Sequence, residues 1–396
     1  MFAPIYFDHN ATTPVDERVV EAMLPYFSAR FGNASSRHEY GRAALSALEK
    51  AREQVAAATG AHPTEVIFTS GGSEANNLFL KGAGATFRSV AVGGKTETVA
   101  VGATEHLSVL NAARQLRAQG WRFLQLPVDG KGQIPLPDVE AAAKEKPQRW
   151  SVMLANNETG VINDVAAIAA TVREAMPDGG WFHTDAVQAF GRMPLNFRAL
   201  NEAGVHALTI SSHKICGPKG AAALIMDKRL DLLPQIAGGG QERGLRSGTE
   251  NIAAIVGFGM ACELAASGMT EQVKVHQALR ERLEARLGEM GATIFGIGTP
   301  RLPNTSFFAF PNVDGETLVG KLDRAGFAIA SGSACSSAKS SPSHVLMAMG
   351  VPADLAQCAV RVSFGGKTKP AEIEGFLIAL QETTTKLSRL AYNTRL

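Results

Sequence analysis

From about residue 37 to residue 256 the chain alternates between amphipathic stretches and short, unbroken apolar runs. "RAALSALEKAREQVAAATG" repeats its apolar residues at helical spacing and stops at Gly60, which suits a helix C-terminus. "EVIFTS" predicts a buried strand, and "GGSEANNLFLKG" the glycine-rich opening of a helix behind it. "ETVAVGATEH" predicts a second strand, followed by the helix "LSVLNAARQLRAQG" ending at Gly120. "WSVMLANNETG", "WFHTDAVQ" and "ALTISSHK" each run from an apolar strand into a polar tip. Such alternation predicts an α/β architecture, a mainly parallel sheet covered by helices on both faces. Ligands bind such sheets beyond the carboxyl ends of the strands, which is where the polar tips fall.

After "GGGQERGLRSGTEN" the pattern changes. A long helical stretch covers about 250 to 290, followed by the strand "TSFFAF" and the helix "GETLVGKLDRAG". The serine-rich stretch "SGSACSSAKSSPSH", the strand "AVRVSFG" and a final long helix complete what reads as a smaller α+β unit. There is no internal repeat and no low-complexity linker.

Length and charge narrow the function classes. A chain of 396 residues predicts two or three domains. Net charge is +2 with both signs interspersed, which argues against a nucleic-acid-binding face. No uninterrupted apolar run reaches about 18 residues, so no membrane span is expected. "MFAPIYFDHN" lacks the layout of a secretory signal. Cys216, Cys262, Cys335 and Cys358 show no disulfide-framework spacing, and a reduced, cytoplasmic protein is expected. Cys262 and Cys358 fall in apolar helix and strand patterns and read as buried. Cys335 stands apart, a thiol among serines and glycine where nothing large is at hand to pack on it.

The strand tips carry the candidate chemistry. Lys214, in "SSHKICGPKG", ends an apolar run just before a Gly-Pro turn. It reads either as a solvated loop lysine or as an amine that forms a Schiff base with an aldehyde cofactor. Asp185, in "HTDAVQ", is either a helix cap or the carboxylate that a pyridoxal ring needs opposite its nitrogen. Gly71, Gly72 and Ser73 open a helix after a strand, a place where backbone N–H groups hold phosphate. His106, in "ATEH", is either structural or lies against a cofactor ring.

Together these stretches resemble the NifS/IscS-type cysteine desulfurases, which use pyridoxal 5′-phosphate (PLP). The likeness runs nearly the whole length, in the family's order. It is carried by "YFDHNATTPVDERV", "FGNASSRHEYGRAA", "FTSGGSEANN", "ATEH", "NNETG", "HTDAVQAFG", "SSHKICGPKG", "GGGQERGLRSGTEN", "SGSACSS", "PSHVL" and "RVSFG". The resemblance implies fold type I, the aspartate-aminotransferase type. That means a large PLP domain over 15–256 with a mainly parallel seven-stranded sheet, and a small α+β domain formed by 1–14 and 257–396.

The resemblance also implies roles. Lys214 forms the Schiff base, Asp185 pairs the pyridine nitrogen and Gln188 approaches the ring oxygen. His106 stacks on the ring and moves protons. Gly72, Ser73, Ser211 and His213 hold the phosphate, joined by Thr249 from a neighbouring subunit in a homodimer. Asn157 lies near ring and substrate, and Arg361 clamps the substrate carboxylate, a task suited to its bidentate fork. Cys335 takes the sulfur of L-cysteine as a persulfide, leaving L-alanine, and passes it to an iron–sulfur scaffold or another acceptor protein. A transient iron–sulfur contact at Cys335 is the only metal contact implied.

Two positions depart from the common pattern. Gly72-Ser73 stands where Ala-Thr is frequent, with a hydroxyl kept. Cys216 stands where a larger residue is common and is read as packing. Alternatives to a desulfurase are a selenocysteine lyase, an ordinary aminotransferase, and a non-enzymatic sulfur carrier on an inactive PLP fold.

Overall fold

The computed structural model describes residues 4–83, 97–177, 179–332 and 341–393, with side chains to 387. In chain order the strands are β1 (Ile5–Tyr6), β2 (Val66–Thr69), β3 (Thr98–Gly102), β4 (Arg122–Leu126), β5 (Arg149–Ser151), β6 (Trp181–Asp185) and β7 (Ala207–Ser211). They continue with β8 (Ala222–Met226), β9 (Thr293–Ile294), β10 (Thr305–Ala309), β11 (Phe327–Ala328), β12 (Ala330–Ser331) and β13 (Ala359–Ser363).

Seven of these form one sheet in the order β2-β8-β7-β6-β5-β3-β4. β8 runs antiparallel to both neighbours, and the other adjacent pairs are parallel. β3, β5, β7 and β8 are buried at every position, because helices cover both faces and neither face needs polar residues. β4, at one edge, is half exposed, and its pattern is correspondingly mixed. The parallel arrangement brings the ends of β2, β3, β5, β6 and β7 to one edge of the sheet.

The expected helices form where their periodicity places them. Glu39–Thr59 ends at Gly60, whose φ of 71° is the left-handed conformation that favours glycine. The helix Ile252–Glu289 is continuous, and the expected domain boundary at residue 256 falls inside it. Its first half is long and apolar enough to cross a membrane by composition alone, with mean hydropathy 1.6. Here Ile255, Phe258, Ala261 and Cys262 are instead buried in the core that also contains Ala44, Leu48, Ala51 and Val55 of Glu39–Thr59. Gly259 permits this close approach, since a Cβ there would lie 2.8 Å from Ala51 Cα.

A second sheet, β12-β13-β10-β9, is antiparallel throughout. Helices Gly315–Arg324 and Pro370–Asn393 pack on it through Leu318, Leu322, Ile373, Phe376 and Leu380. The N-terminal segment joins the two halves. β1 pairs in parallel with β11, Asp8 bridges to Ser363, and Thr13 N–H donates to the His213 carbonyl at 2.9 Å.

A buried ion pair fixes the loop before the long helix. Arg52 donates to both carboxylate oxygens of Glu242, at 2.9 and 2.8 Å, and Glu242 also accepts from the Phe68 backbone N–H at 2.8 Å. Glu242 and Arg243 both lie in the left-handed region, at φ 45° and 58°. The ion pair therefore holds a strained turn against β2. Glu242→Ala leaves the buried Arg52 cation with only the half-exposed Glu49 as an ion-pair partner. We expect a loss on the order of 3–5 kcal/mol, measured by urea unfolding, with Glu49→Ala on the exposed side of Arg52 losing far less.

Candidate active site

A cavity of about 440 Å³ opens at the carboxyl edge of the large sheet. β2 ends at Thr69, and the helix Gly72–Gly82 begins three residues later. Its first N–H groups and positive end face the cavity that Gly72 and Ser73 line. One helical turn further on, Asn76 donates to Asp185 Oδ2 at 2.7 Å. Asp185 is the last residue of β6, and its Oδ1 accepts from the Val187 N–H at 3.0 Å. The Asp185 carboxylate is thus both a turn cap and a buried, oriented charge on the cavity wall.

His106 follows β3 and caps the helix Leu107–Ala118, its Nδ1 accepting from the Ser108 N–H at 3.2 Å. That bond places the proton of the neutral ring on Nε2. Desolvation lowers the His106 pKa, with Lys214 and His344 adding to the effect and Asp185 opposing it. Asn157, after β5, lines the opposite wall, and its carbonyl accepts from Asn10 Nδ2 at 3.1 Å. Gln188 lies three residues past Asp185 and donates Nε2–H to the Asn10 carbonyl at 3.0 Å.

β7 leads into the turn that carries Lys214. Ser211 is its last residue, and a tight turn of Ser212–Lys214 follows. Among the described residues, the buried Ser211 Oγ has no hydrogen-bond partner. His213 beside it is held neutral, its pKa brought down to about 4 first by burial and then by Lys214, Lys219 and Arg192. Lys214 Nζ donates to the carbonyls of Asn10 and Ala11 at 2.6 and 2.7 Å. Its pKa is brought down to about 7, first by burial, then by Arg192 and Arg361, with Asp8 and Asp185 acting the other way. A lysine so placed offers a neutral amine near neutral pH.

Arg361 reaches the cavity from β13 of the small sheet. Its Nη2 pairs with Asp8 Oδ1 at 2.6 Å and its Nη1 donates to the Asn157 carbonyl at 3.0 Å, while the buried Nε has no partner among the described residues.

The structure thus gathers Gly72, Ser73, His106, Asn157, Asp185, Gln188, Ser211, His213, Lys214 and Arg361 around one cavity. Thr249 is exposed and does not line its own chain's cavity. Cys335 lies outside the described residues. The chain on either side of 333–340 is pinned. Gly332 N–H donates to the Ala359 carbonyl at 2.8 Å, Ser343 Oγ donates to the half-buried Glu158, and the His344 Nε2 lies 3.0 Å from the Glu105 carbonyl oxygen. Cys262 is buried in the long helix as expected; Cys358 is buried at the end of the short helix Ala353–Gln357, one residue before β13. Cys216 is half-buried with φ 62°.

The sequence reading missed Asn10, Ala11, Asn76 and Asp8. Asn76 had a legible signal, since it stands one helical turn after Ser73. The others act on side chains some 200 or more positions away, partly through backbone carbonyls, and leave no local pattern.

These groups fit pyridoxal 5′-phosphate. The partnerless Ser211 Oγ and the helix start at Gly72 suit its phosphate, Asp185 its pyridine nitrogen, and the desolvated Lys214 amine its aldehyde. Fold and site together define a PLP-dependent enzyme of fold type I. The chain belongs to the class-V aminotransferase family, whose profile matches residues 5–376. It is 43% identical to the cysteine desulfurase of Bradyrhizobium diazoefficiens over 388 residues, covering 97% of this chain and 95% of that one. Among solved structures it is similar to a NifS-like protein, with TM-score 0.89, 36% identity, and coverage of 96% and 99% of the two chains. It is also similar to SspA in complex with cysteine, with TM-score 0.76, 31% identity, and coverage of 91% and 98%.

Proposed function

We propose that this protein is a cysteine desulfurase that moves the sulfur of L-cysteine onto Cys335 and hands it to an acceptor protein, such as one that builds iron–sulfur clusters. One observation carries the reading: a desolvated lysine, a buried aspartate, a partnerless serine hydroxyl and an arginine converge on one cavity. When bound, PLP supplies an electron sink for the substrate α-carbon.

The chain's own groups do the rest. Arg361 receives the substrate carboxylate, its fork already oriented by Asp8 and the Asn157 carbonyl. The amine of Lys214, its pKa brought down to about 7 so that a large fraction is deprotonated near neutral pH, accepts the proton leaving the α-carbon. His106, with Nδ1 committed to its helix cap, presents Nε2 for proton movement in the cavity. The Cys335 thiolate attacks the substrate sulfur, so that an S–S bond forms as the Cβ–S bond breaks. Carbon keeps the electron pair and gains a proton, giving alanine, while the sulfur leaves as a persulfide. No external oxidant is needed. The other cysteines suit this task poorly, since burial pushes the thiols of Cys216, Cys262 and Cys358 up and away from the nucleophilic thiolate.

We further infer a homodimer in which Thr249 reaches the partner's phosphate. Leu24, Phe27, Phe31 and Tyr40 are more than half exposed, more apolar surface than one stretch of a monomer ordinarily shows to water. Sedimentation at micromolar concentration should give twice the chain mass, and Thr249→Ala should shed PLP faster by losing a charge-assisted hydrogen bond of about 1.5–3 kcal/mol. A fully active monomer would contradict the composite site.

The sulfur-transfer step is tested by mass spectrometry after brief exposure to L-cysteine without reductant. The peptide containing Cys335 should gain one sulfur, and Cys335→Ser should keep its PLP while transferring none. Sulfur on Cys216 instead, or alanine formed at the wild-type rate by Cys335→Ser, would overturn the assignment.

A further inference from the structure

The turn after β6 carries a buried cation that the reaction above does not use. Arg192 is only 8% exposed. Among the described residues its hydrogen bonds all go to neutral oxygens. Nη1 donates to the Gln188 carbonyl at 3.1 Å and to the Gln188 side-chain Oε1; Nη2 donates to the carbonyls of His9 and Lys214, both at 3.3 Å. A cation held dry without a carboxylate is costly. Its four acceptors belong to the N-terminal segment, the turn carrying Gln188 and the turn carrying Lys214.

Two consequences follow from this geometry. A guanidinium only donates, so it accepts no orientation of the Gln188 amide except the one with oxygen toward it. The amide nitrogen is thereby turned to the other side, where one N–H serves the Asn10 carbonyl and the second remains for the cavity that Gln188 lines. The segment that Arg192 grips at His9 is also the one whose next two carbonyls, Asn10 and Ala11, receive Lys214 Nζ.

We infer that Arg192 is a positioning residue of this site: it fixes Gln188 as a donor toward the cofactor ring oxygen and holds Lys214 in its carbonyl cradle beside an uncompensated positive charge. The part concerning the ring oxygen rests on the PLP reading above; the part concerning Lys214 does not. Around that amine stand Arg192 from the turn after β6, Arg361 from β13, Asp8 from the N-terminal segment and Asp185 from the end of β6. His106 and His213 also face it, both shifted toward the neutral form. Burial is the largest influence lowering the Lys214 pKa, and Arg192 is the next. Removing that charge makes the ammonium easier to form, so the amine should lose its proton only at higher pH.

The test reads Lys214 directly. The full chain, stripped of PLP, is labelled competitively with an amine reagent across pH 5 to 11, and the Lys214 peptide is quantified by mass spectrometry. In parallel the visible band of the holoenzyme is titrated with pH. Arg192→Met and Arg192→Gln should raise the Lys214 labelling midpoint by about one pH unit or more, and the holoenzyme midpoint should move the same way. Arg192→Gln keeps a donor for the same carbonyls and serves if the methionine variant does not fold. Arg192→Lys keeps the charge and should titrate near the wild type. A Lys214 labelling midpoint unchanged in the neutral variants would overturn the inference, whatever happens to turnover. If the wild-type band reported PLP on another lysine, the functional reading would fail while the labelling series still decided the role of Arg192.

Discussion

The site depends on holding one lysine amine in a half-buried cradle of carbonyls beside positive charge. Lys214 sits where β7 runs out, with its Nζ against two backbone carbonyls and two arginines nearby. Carbonyl oxygens orient the amine without supplying the full negative charge that would hold a proton on it. Much of the surrounding structure serves this arrangement. The parallel sheet brings the turn carrying Lys214 to the same edge as Asp185 and the helix start at Gly72. The N-terminal segment crosses from the small sheet to the large one to supply the carbonyls.

That crossing segment also ties Arg361 to the Lys214 amine. Asp8 pairs with Arg361 from the small sheet, His9 accepts from Arg192, and Asn10 meets Asn157, Thr305, Gln188 and Lys214. Three consecutive residues therefore contact both halves of the molecule. A shift of the small sheet would be felt by Arg361 and the Lys214 amine together. Glu158 and Glu105 tie down a further stretch of chain. Glu105 is buried and Glu158 half-buried, each with its pKa raised chiefly by desolvation; the Glu158 carboxyl holds Ser343 and the Glu105 backbone carbonyl meets His344.

How much of this was legible in the sequence follows from the range of each interaction. Strands buried on both faces leave continuous apolar runs, so β2, β3, β6 and β7 and the polar tips that hold Gly72, His106, Asp185 and Lys214 could be read directly. β4 and β8 were passed over. β4 has the mixed pattern of an edge strand, and β8, "AALIM", is too short and alanine-rich to be told from a helix fragment. The roles of Asn10 and Ala11 could not be read, because backbone carbonyls carry no side-chain signature and Lys214 lies about 200 residues away. Arg192 was silent for the complementary reason: an arginine in a glycine-containing turn reads as solvated until its burial is seen. The role of Cys335 was legible only through resemblance, and it lies outside the described residues.

The central claim is that the desolvated amine of Lys214 is where the cofactor attaches. Borohydride reduction of the PLP-loaded protein, followed by proteolysis and peptide mapping, tests it most directly. The account predicts a single phosphopyridoxyl adduct on the peptide containing Lys214, with its yield falling away in Lys214→Ala. An adduct of equal yield on Lys219, or on any lysine outside this cavity, would contradict it.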